Sequence, residues 1–391
     1  MAARRIAFAL IAGGIASAAG CADCRELDRV IHRDDAGQWL ALADSEPPFA
    51  SPSASIAVDA AAPSKRAAMP PGFVKGQLHT HTAESVDSHT PPGEVQAWYA
   101  ARGYDFVVFT DHNHVTDTPD SAVLTIPGVE LTRNLHACEP PAPIGVSCAL
   151  HVNALFVTEP APDAGAIDPG DGAHVDRLSV YRGEVARAKS LHGIAMLNHP
   201  NMAAGADTAI AAALARDGML LLEVANQAWD VRNEGDAERR STEAIWDALL
   251  AQGLRVFGTA TDDAHHYADA DAMRARGERP YPGDLAFVVV HAAKNARAIR
   301  AAIERGDFYS SNGLVFETYA RTATSITLGV HGGAPIDFEV VSRDGSVRRR
   351  ERATRLEVKL GPDDGAYLRV RAKGDDGAFA FSQPVFRAPT K

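Results

Sequence analysis

The sequence predicts an α/β fold: a closed barrel with helices outside it, followed by a small β-sandwich-like domain. Three observations point that way. Between Phe73 and Asn312, short apolar runs alternate with amphipathic stretches, the pattern of strands and crossover helices in a parallel sheet, and so many units favour a closed sheet over an open one. After Asn312 the helical stretches stop, and short strands follow one another across Asp-Gly turns. Histidines and carboxylates recur where the apolar runs end, the side of such barrels that carries active sites.

Residues 1–20 read as a secretory signal, with Arg4 and Arg5, an apolar run to about Ile15 and small residues up to Cys21. The run is too short for a membrane-spanning helix, which needs about 20 apolar residues. Ala18-Ala19-Gly20-Cys21 resembles a bacterial lipobox, which would make Cys21 the acylated N-terminus of an exported cell-envelope lipoprotein; an ordinary cleaved signal is the alternative. Residues 21–71, rich in Ala, Ser and Pro, predict a disordered tether with at most a short helix around Arg25 to Leu42.

The first predicted strand is Phe73 to Leu78. Thr90-Pro91-Pro92 then opens a helix, GEVQAWYAARG, that Gly103 closes. Further strands fall at Phe106 to Thr110, Ala122 to Ile126, Val152 to Val157, Ile194 to Leu197, Leu220 to Val224, Arg255 to Thr259 and Leu285 to Val290. Helical periodicity lies at Arg177 to Leu191, Thr208 to Arg216, Thr242 to Ala251 and Ala293 to Arg305. The barrel therefore occupies residues 72–315 and the β domain 316–391, which has no cluster of metal-binding residue types.

With 391 residues, 46% of them hydrophobic, the chain can bury a sizeable core. A net charge of -11 repels polyanions, so no nucleic-acid polymer is expected as partner and an anionic substrate must be attracted locally. Export implies an oxidising compartment. There Cys138 and Cys148, flanking EPPAPIGVS, form either a loop-closing disulfide or two free thiols, and Cys24 is left over.

His79 and His81 end the first strand; two apart in extended chain, they face the same side and can grip one ion. Asp87 follows in the next loop. Thr110-Asp111-His112 ends the second strand, Pro127-Gly128-Val129-Glu130 follows the third, and His151 opens HVNALFV. Asn198-His199-Pro200 ends IAML, and Asp262-Asp263-Ala264-His265 ends RVFGTA. Any one of these histidines alone reads as an ordinary polar residue, but strand-end placement repeated over five segments, with carboxylates between, is not explained by solvation. The set predicts divalent metal ions gathered at one rim. His32, His174 and His331 read as surface residues.

In chain order, HxH, Asp, TDH, PGxE, His, NHP and DxH resemble the polymerase and histidinol phosphatase (PHP) superfamily of metal-dependent phosphoesterases over Phe73 to Asn312. GDFYSSNG and GAYLRVRAKGDDG, with the C-terminal β domain, further resemble the branch that includes the CehA and McbA carbamate and amide hydrolases. The resemblance implies a distorted (β/α)7 barrel of the PHP type holding two or three divalent ions. It puts His79, His81, Glu130 and Asp263 on a first metal, Asp87, His112 and His265 on a second, and Glu130, His151 and His199 on a third, with Glu130 as bridge. Family members often have His in place of Asp87, so the second site is richer in oxygen, and Zn, Mn and Fe all fit.

Three divalent ions would leave the cluster net positive against three carboxylates, a field suited to phosphate, and a water between two ions, its pKa lowered towards about 7, would attack as hydroxide. Asp111, His114, Arg133 and His266 are assigned supporting catalytic roles, Asp111 orienting a ligating imidazole and Arg133 meeting an anionic substrate. Asn113 and Asp262 are further candidates, and Glu223 and Asn226 line the pocket at another strand end. The expected activity is hydrolysis of small phosphoesters. Ester, amide or carbamate hydrolysis with the same metal cluster is the alternative, and a non-catalytic envelope protein that binds metal or a sugar-phosphate is the second.

Overall fold

Apolar runs bounded by turn residues become strands in the computed structural model, which describes residues 69–388 apart from 86, 120, 136, 143–145 and 159–174. The expected signal segment, Cys21, Cys24, His32, His174 and the tether up to residue 68 lie outside the described residues. In chain order the first part comprises β1 (Phe73–Gln77), α1 (Pro92–Ala100), β2 (Phe106–Phe109), β3 (Leu124–Leu135), β4 (Cys138–Glu139), β5 (Cys148–Leu155) and β6 (Val175–Asp176). There follow α2 (Arg177–Ser190), β7 (Ile194–Leu197), α3 (Thr208–Asp217), β8 (Leu221–Asn226), α4 (Thr242–Ala251), β9 (Phe257–Thr261), α5 (Ala270–Ala275), β10 (Phe287–His291), α6 (Ala296–Arg305) and β11 (Phe308–Ser311). The side chains of Asp176, Asp207, Ser241 and Asn295 each accept a backbone N–H in the first turn of α2, α3, α4 and α6, supplying the partner that a helix start lacks.

The sheet runs β11-β10-β1-β2-β3-β5-β7-β8-β9. Four pairs are parallel, β1 with β2, β2 with β3, β7 with β8 and β8 with β9, as the alternation predicts. The pairs β1 with β10, β10 with β11, β3 with β5 and β5 with β7 are antiparallel, so the sheet is mixed. The cause is local: β3 continues well past the expected end at Ile126, and the chain turns back into β5 with no crossover helix among the described residues to restore its direction. A disulfide, Cys138–Cys148, closes that connection.

No ladder joins β9 to β10 among the described residues, so the expected closure is not made. The sheet instead curls round a shared interior to which Val74, Phe106, Ile126, Leu155, Met196, Leu221, Phe257, Val288 and Phe308 each contribute from a different strand. The edge of β9 is satisfied by a side chain acting as a strand. The Gln383 amide accepts from the Gly258 N–H at 2.9 Å and donates to the Gly258 carbonyl at 2.7 Å.

The C-terminal part holds β12 (Phe316–Arg321), β13 (Ser325–Val330), β14 (Ile336–Ser342), β15 (Ser346–Ala353), β16 (Arg355–Lys359), β17 (Tyr367–Lys373), β18 (Phe379–Ser382) and β19 (Val385–Phe386). Strands β12, β13 and β16 form one sheet, and Phe316, Ile326 and Leu356 from it share a core with Phe338, Val340 and Val370 of β14 and β17. Two sheets thus pack on one core, and the second is continuous with the main sheet through the β11 to β18 pairing. No described helix is long and apolar enough to cross a membrane.

Candidate metal centre

Extended chain just beyond β1 turns the rings of His79 and His81 to one side, 5.2 Å apart between centroids, while Thr80 lies in a bridge with Ala264. Gly128 explains the turn-like letters before Glu130. A Cβ there would come within 2.8 Å of the Phe109 carbonyl, so only glycine lets β3 press on β2 and set Glu130 in a bridge with His112. Asp263 adopts a left-handed backbone, φ 54°, which aspartate tolerates better than most residues. Its carboxylate thereby meets His79 Nε2 and His81 Nε2, each at 3.2 Å.

Three groups of side chains could each hold an ion: His79, His81 and Asp263; His81, Asp87, His112 and His265; and Glu130, His151 and His199. Within each group the donor atoms lie within 4.8 Å of one another. All nine expected ligands are thus brought together. Asp87 Oδ2 stands 2.9 Å from His112 Nε2 and 3.2 Å from His265 Nε2. Glu130 is the common neighbour: Oε1 lies 3.1 Å from His151 Nδ1 and 3.4 Å from both His79 Nε2 and His199 Nε2, while Oε2 lies 2.9 Å from His112 Nδ1 and 3.4 Å from His81 Nε2. His151, expected at the front of its strand, reaches the rim because β5 runs antiparallel to its neighbours.

The far side of the rings is where the protein holds them. His79 Nδ1 donates to Glu223 at 2.7 Å, His151 Nε2 to Asn134 Oδ1 at 3.0 Å and His265 Nδ1 to the Asp263 carbonyl at 2.9 Å. These partners are acceptors, so the outward nitrogen keeps its proton and the inward one is the nitrogen that can give its lone pair to a cation. His81 Nδ1 pairs with Ser85 at 2.9 Å, whereas His112 meets carboxylates with both nitrogens, its Nδ1 reaching Thr132 at 2.6 Å as well as Glu130. On the near side, His79 Nε2, His81 Nε2, Glu130 Oε2 and Asp87 Oδ1 are buried with no hydrogen-bond partner. Inward lone pairs facing carboxylates, with outward nitrogens anchored, are what ligation of cations requires.

Burial alone would keep these imidazoles neutral and these carboxyls protonated. At His79 burial is outweighed by the charges of Asp263, Glu223 and Glu130, and at His112 by Asp87 and Glu130, so both pKa values rise well above the usual one. Burial is likewise outweighed at Asp87, Glu130 and Asp263, whose pKa values the surrounding imidazoles hold well below the carboxylate range. His81 goes the other way: burial, then its neighbour His265, lowers it to about 3. The centre keeps three anionic carboxylates around at least one neutral imidazole.

The supporting residues fare less well. The Asp111 carboxylate accepts from the Thr82 N–H at 2.6 Å and from the Thr82 and Thr116 hydroxyls, so it braces the loop after His81 and orients no imidazole. Arg133 is out of phase with Glu130 and Thr132 on β3; its charge bears on Glu184 of α2, on the helix side of the sheet. His114 is half-buried and has no hydrogen bond or ion pair with the cluster among the described residues. His266 lies beside His265, accepting from the Tyr281 N–H at 3.0 Å, and touches none of the carboxylates. Asn113 braces the Thr132 backbone, and Asp262, pushed up to about 6 by burial, clamps the N–H groups of Asp284, Leu285 and Ala286.

Glu223 does more than line the pocket, since its carboxylate holds His79 and accepts the His199 N–H at 2.6 Å. Asn226 joins it to Asp263, donating to each at 2.9 and 3.1 Å. Ser85, Thr132, Asn134 and Asn198, which donates to Glu130 at 2.7 Å, are contributors that motif reading misses. The one available signal was spacing: Thr132 and Asn134 follow Glu130 at intervals of two along a strand and share its face.

Fold and site define a mixed α/β protein whose buried histidine and carboxylate cluster could hold metal ions. No family model matches the chain, and no curated protein matches its sequence.

Proposed function

We propose that the chain is a metal-dependent hydrolase of phosphoesters on a PHP-like distorted (β/α)7 barrel, exported and held at the cell envelope by a lipid on Cys21. The observation that carries this reading is the gathering of nine ligand-type side chains, in which His79 Nε2, His81 Nε2, Glu130 Oε2 and Asp87 Oδ1 are buried without a hydrogen-bond partner. The order of motifs from HxH to DxH supports the PHP assignment.

Two or three Zn, Mn or Fe ions held there would supply Lewis acidity, acidifying water towards a pKa of about 7 and offsetting charge on a departing oxygen. The chain's own part is positioning. Glu223 keeps the His79 proton outward, Asn134 does the same for His151, and Asn198 fixes Glu130 among five rings. Burial of these groups keeps bulk water from competing for the ions. Four anionic carboxylates, Glu223 included, would leave a set of three dications net positive, which favours an anionic phosphoester over a neutral ester, amide or carbamate.

A panel of p-nitrophenyl phosphate, bis-p-nitrophenyl phosphate and p-nitrophenyl acetate with metal-loaded protein tests the reading. Turnover of either phosphate, inhibited by inorganic phosphate, is expected. Turnover of the acetate alone would replace it with an ester, amide or carbamate hydrolase, and silence across a broad panel with a non-catalytic metal-binding envelope protein.

A further inference from the structure

We propose that Trp229, Tyr281 and Arg279 form a subsite beside the metal centre for the group carried on the scissile oxygen, and that this group is a planar aromatic ring bearing an anionic substituent. The inference rests on the hydrolase reading and adds the shape and charge of the substrate.

Trp229 follows β8, the strand whose end carries Glu223 and Asn226, and so stands on the rim. It is the one large apolar side chain exposed among the described residues, at 44%. A lone exposed indole needs no explanation, but this one has company. The Tyr281 ring lies 5.6 Å away and the Arg279 guanidinium 5.1 Å from the indole centroid. Tyr281 ties the group to the metal centre: its ring is 5.2 Å from that of His265, and its hydroxyl donates to Asp230 at 3.2 Å. Asp230 in turn sits close enough to Asp263 and His199 for their charges to bear on its carboxyl.

An aromatic surface therefore runs from ligand His265 out to Trp229. Arg279 is exposed and makes no ion pair among the described residues, whereas its neighbour Arg276 is held by Glu278 at 2.6 Å. A guanidinium beside an indole, with no carboxylate to neutralise it, offers charge to an anion while the rings offer π-faces. A small alkyl group would use neither.

Calorimetric titration of the metal-loaded full chain with 4-carboxyphenylphosphonate and with methylphosphonate tests this. The aryl probe is expected to bind about tenfold tighter, the gain of a ring contact and an exposed cationic contact together. Trp229→Ala and Arg279→Gln are each expected to shrink that preference, and Trp229→Phe to retain most of it. Equal affinities in the wild type, or a preference unchanged by Trp229→Ala, would overturn the subsite. Binding of neither phosphonate would count against the phosphoester reading. The subsite is then decided by saturation-transfer NMR with 4-hydroxybenzoate: transfer to the wild type that is lost in Trp229→Ala supports it, and absence of transfer to the wild type overturns it.

Discussion

Glu223 accepts a hydrogen bond from His79 Nδ1 at 2.7 Å, and its other oxygen accepts the His199 N–H at 2.6 Å. One fully buried carboxylate thus aligns the candidate ligands that follow β1 and β7. Glu223→Gln keeps the shape but loses the charge that favours an outward His79 proton. It is expected to weaken metal binding about 10- to 100-fold, the usual loss when a partner behind a ligating imidazole is removed. Competition with a chromogenic chelator measures this, and an affinity equal to wild type would remove Glu223 from the centre.

Glu130 touches five of the six imidazoles in the cluster, all but His265. Glu130→Ala, like His81→Ala, is expected to abolish turnover and strip bound metal while leaving the circular dichroism spectrum largely intact. Metal per chain by plasma mass spectrometry is the readout. Full activity and full metal in either variant would refute the centre.

How much of this is legible in the sequence depends on whether the signal is local. Ile194 to Leu197 and Thr242 to Ala251 have the bounds that periodicity predicts, because apolar spacing and a capping Ser241 act over one turn or one strand. The nine candidate ligands stand out because strand-end imidazoles with carboxylates between them are unusual residues in a repeated place. Direction is not local. HVNALFV reads the same in a parallel or antiparallel sheet, and only its pairing, His151 with Thr132 and Val152 with Leu197, brings His151 to the rim beside His199. Closure fails for the same reason, since nothing in RVFGTA says whether its free edge meets a strand or the Gln383 amide. Arg133 could have been placed better, because an odd step from Glu130 along a strand puts it on the opposite face.

Metal binding should depend on pH with a definite sign. In the metal-free protein burial is outweighed at His79, His112 and His265, and their pKa values lie above the ordinary 6.5. Groups raised on folding stabilise the protein fully below the unfolded value, and that contribution is lost as pH rises through the folded ones. The depressed carboxylates Asp87, Glu130 and Asp263 act oppositely, contributing above their ordinary range and losing that contribution as pH falls through their folded values. Metal ions must displace the imidazole protons, so affinity should rise about tenfold per pH unit for each proton displaced. Metal-free protein is therefore expected to lose thermal stability as pH rises above 6.5, while the gain in Tm on adding metal grows. Calorimetry in buffers of differing ionisation enthalpy reads the protons directly; binding at neutral pH without proton release would contradict the assignment.

The C-terminal sandwich is joined to the α/β part by a buried ion pair whose strength can be measured. Asp247 of α4 accepts from Arg369 Nε at 2.8 Å and Nη2 at 2.6 Å, and from the Tyr367 hydroxyl at 2.7 Å. Arg369 is fully buried, and its guanidinium lies 4.8 Å from the Trp246 ring centroid. Asp247→Ala leaves Arg369 out of water with Glu243 Oε1, 2.7 Å from its Nη2, as its remaining carboxylate partner, so the variant should cost about 1–3 kcal/mol. Replacing both, as Asp247→Leu with Arg369→Met, removes both desolvation penalties and should cost clearly less, because Glu243 still holds Arg371 at 2.5 Å. Urea unfolding of the three proteins separates the cases. If the double variant were as unstable as Asp247→Ala, the loss would come from packing around α4 rather than from a stranded charge.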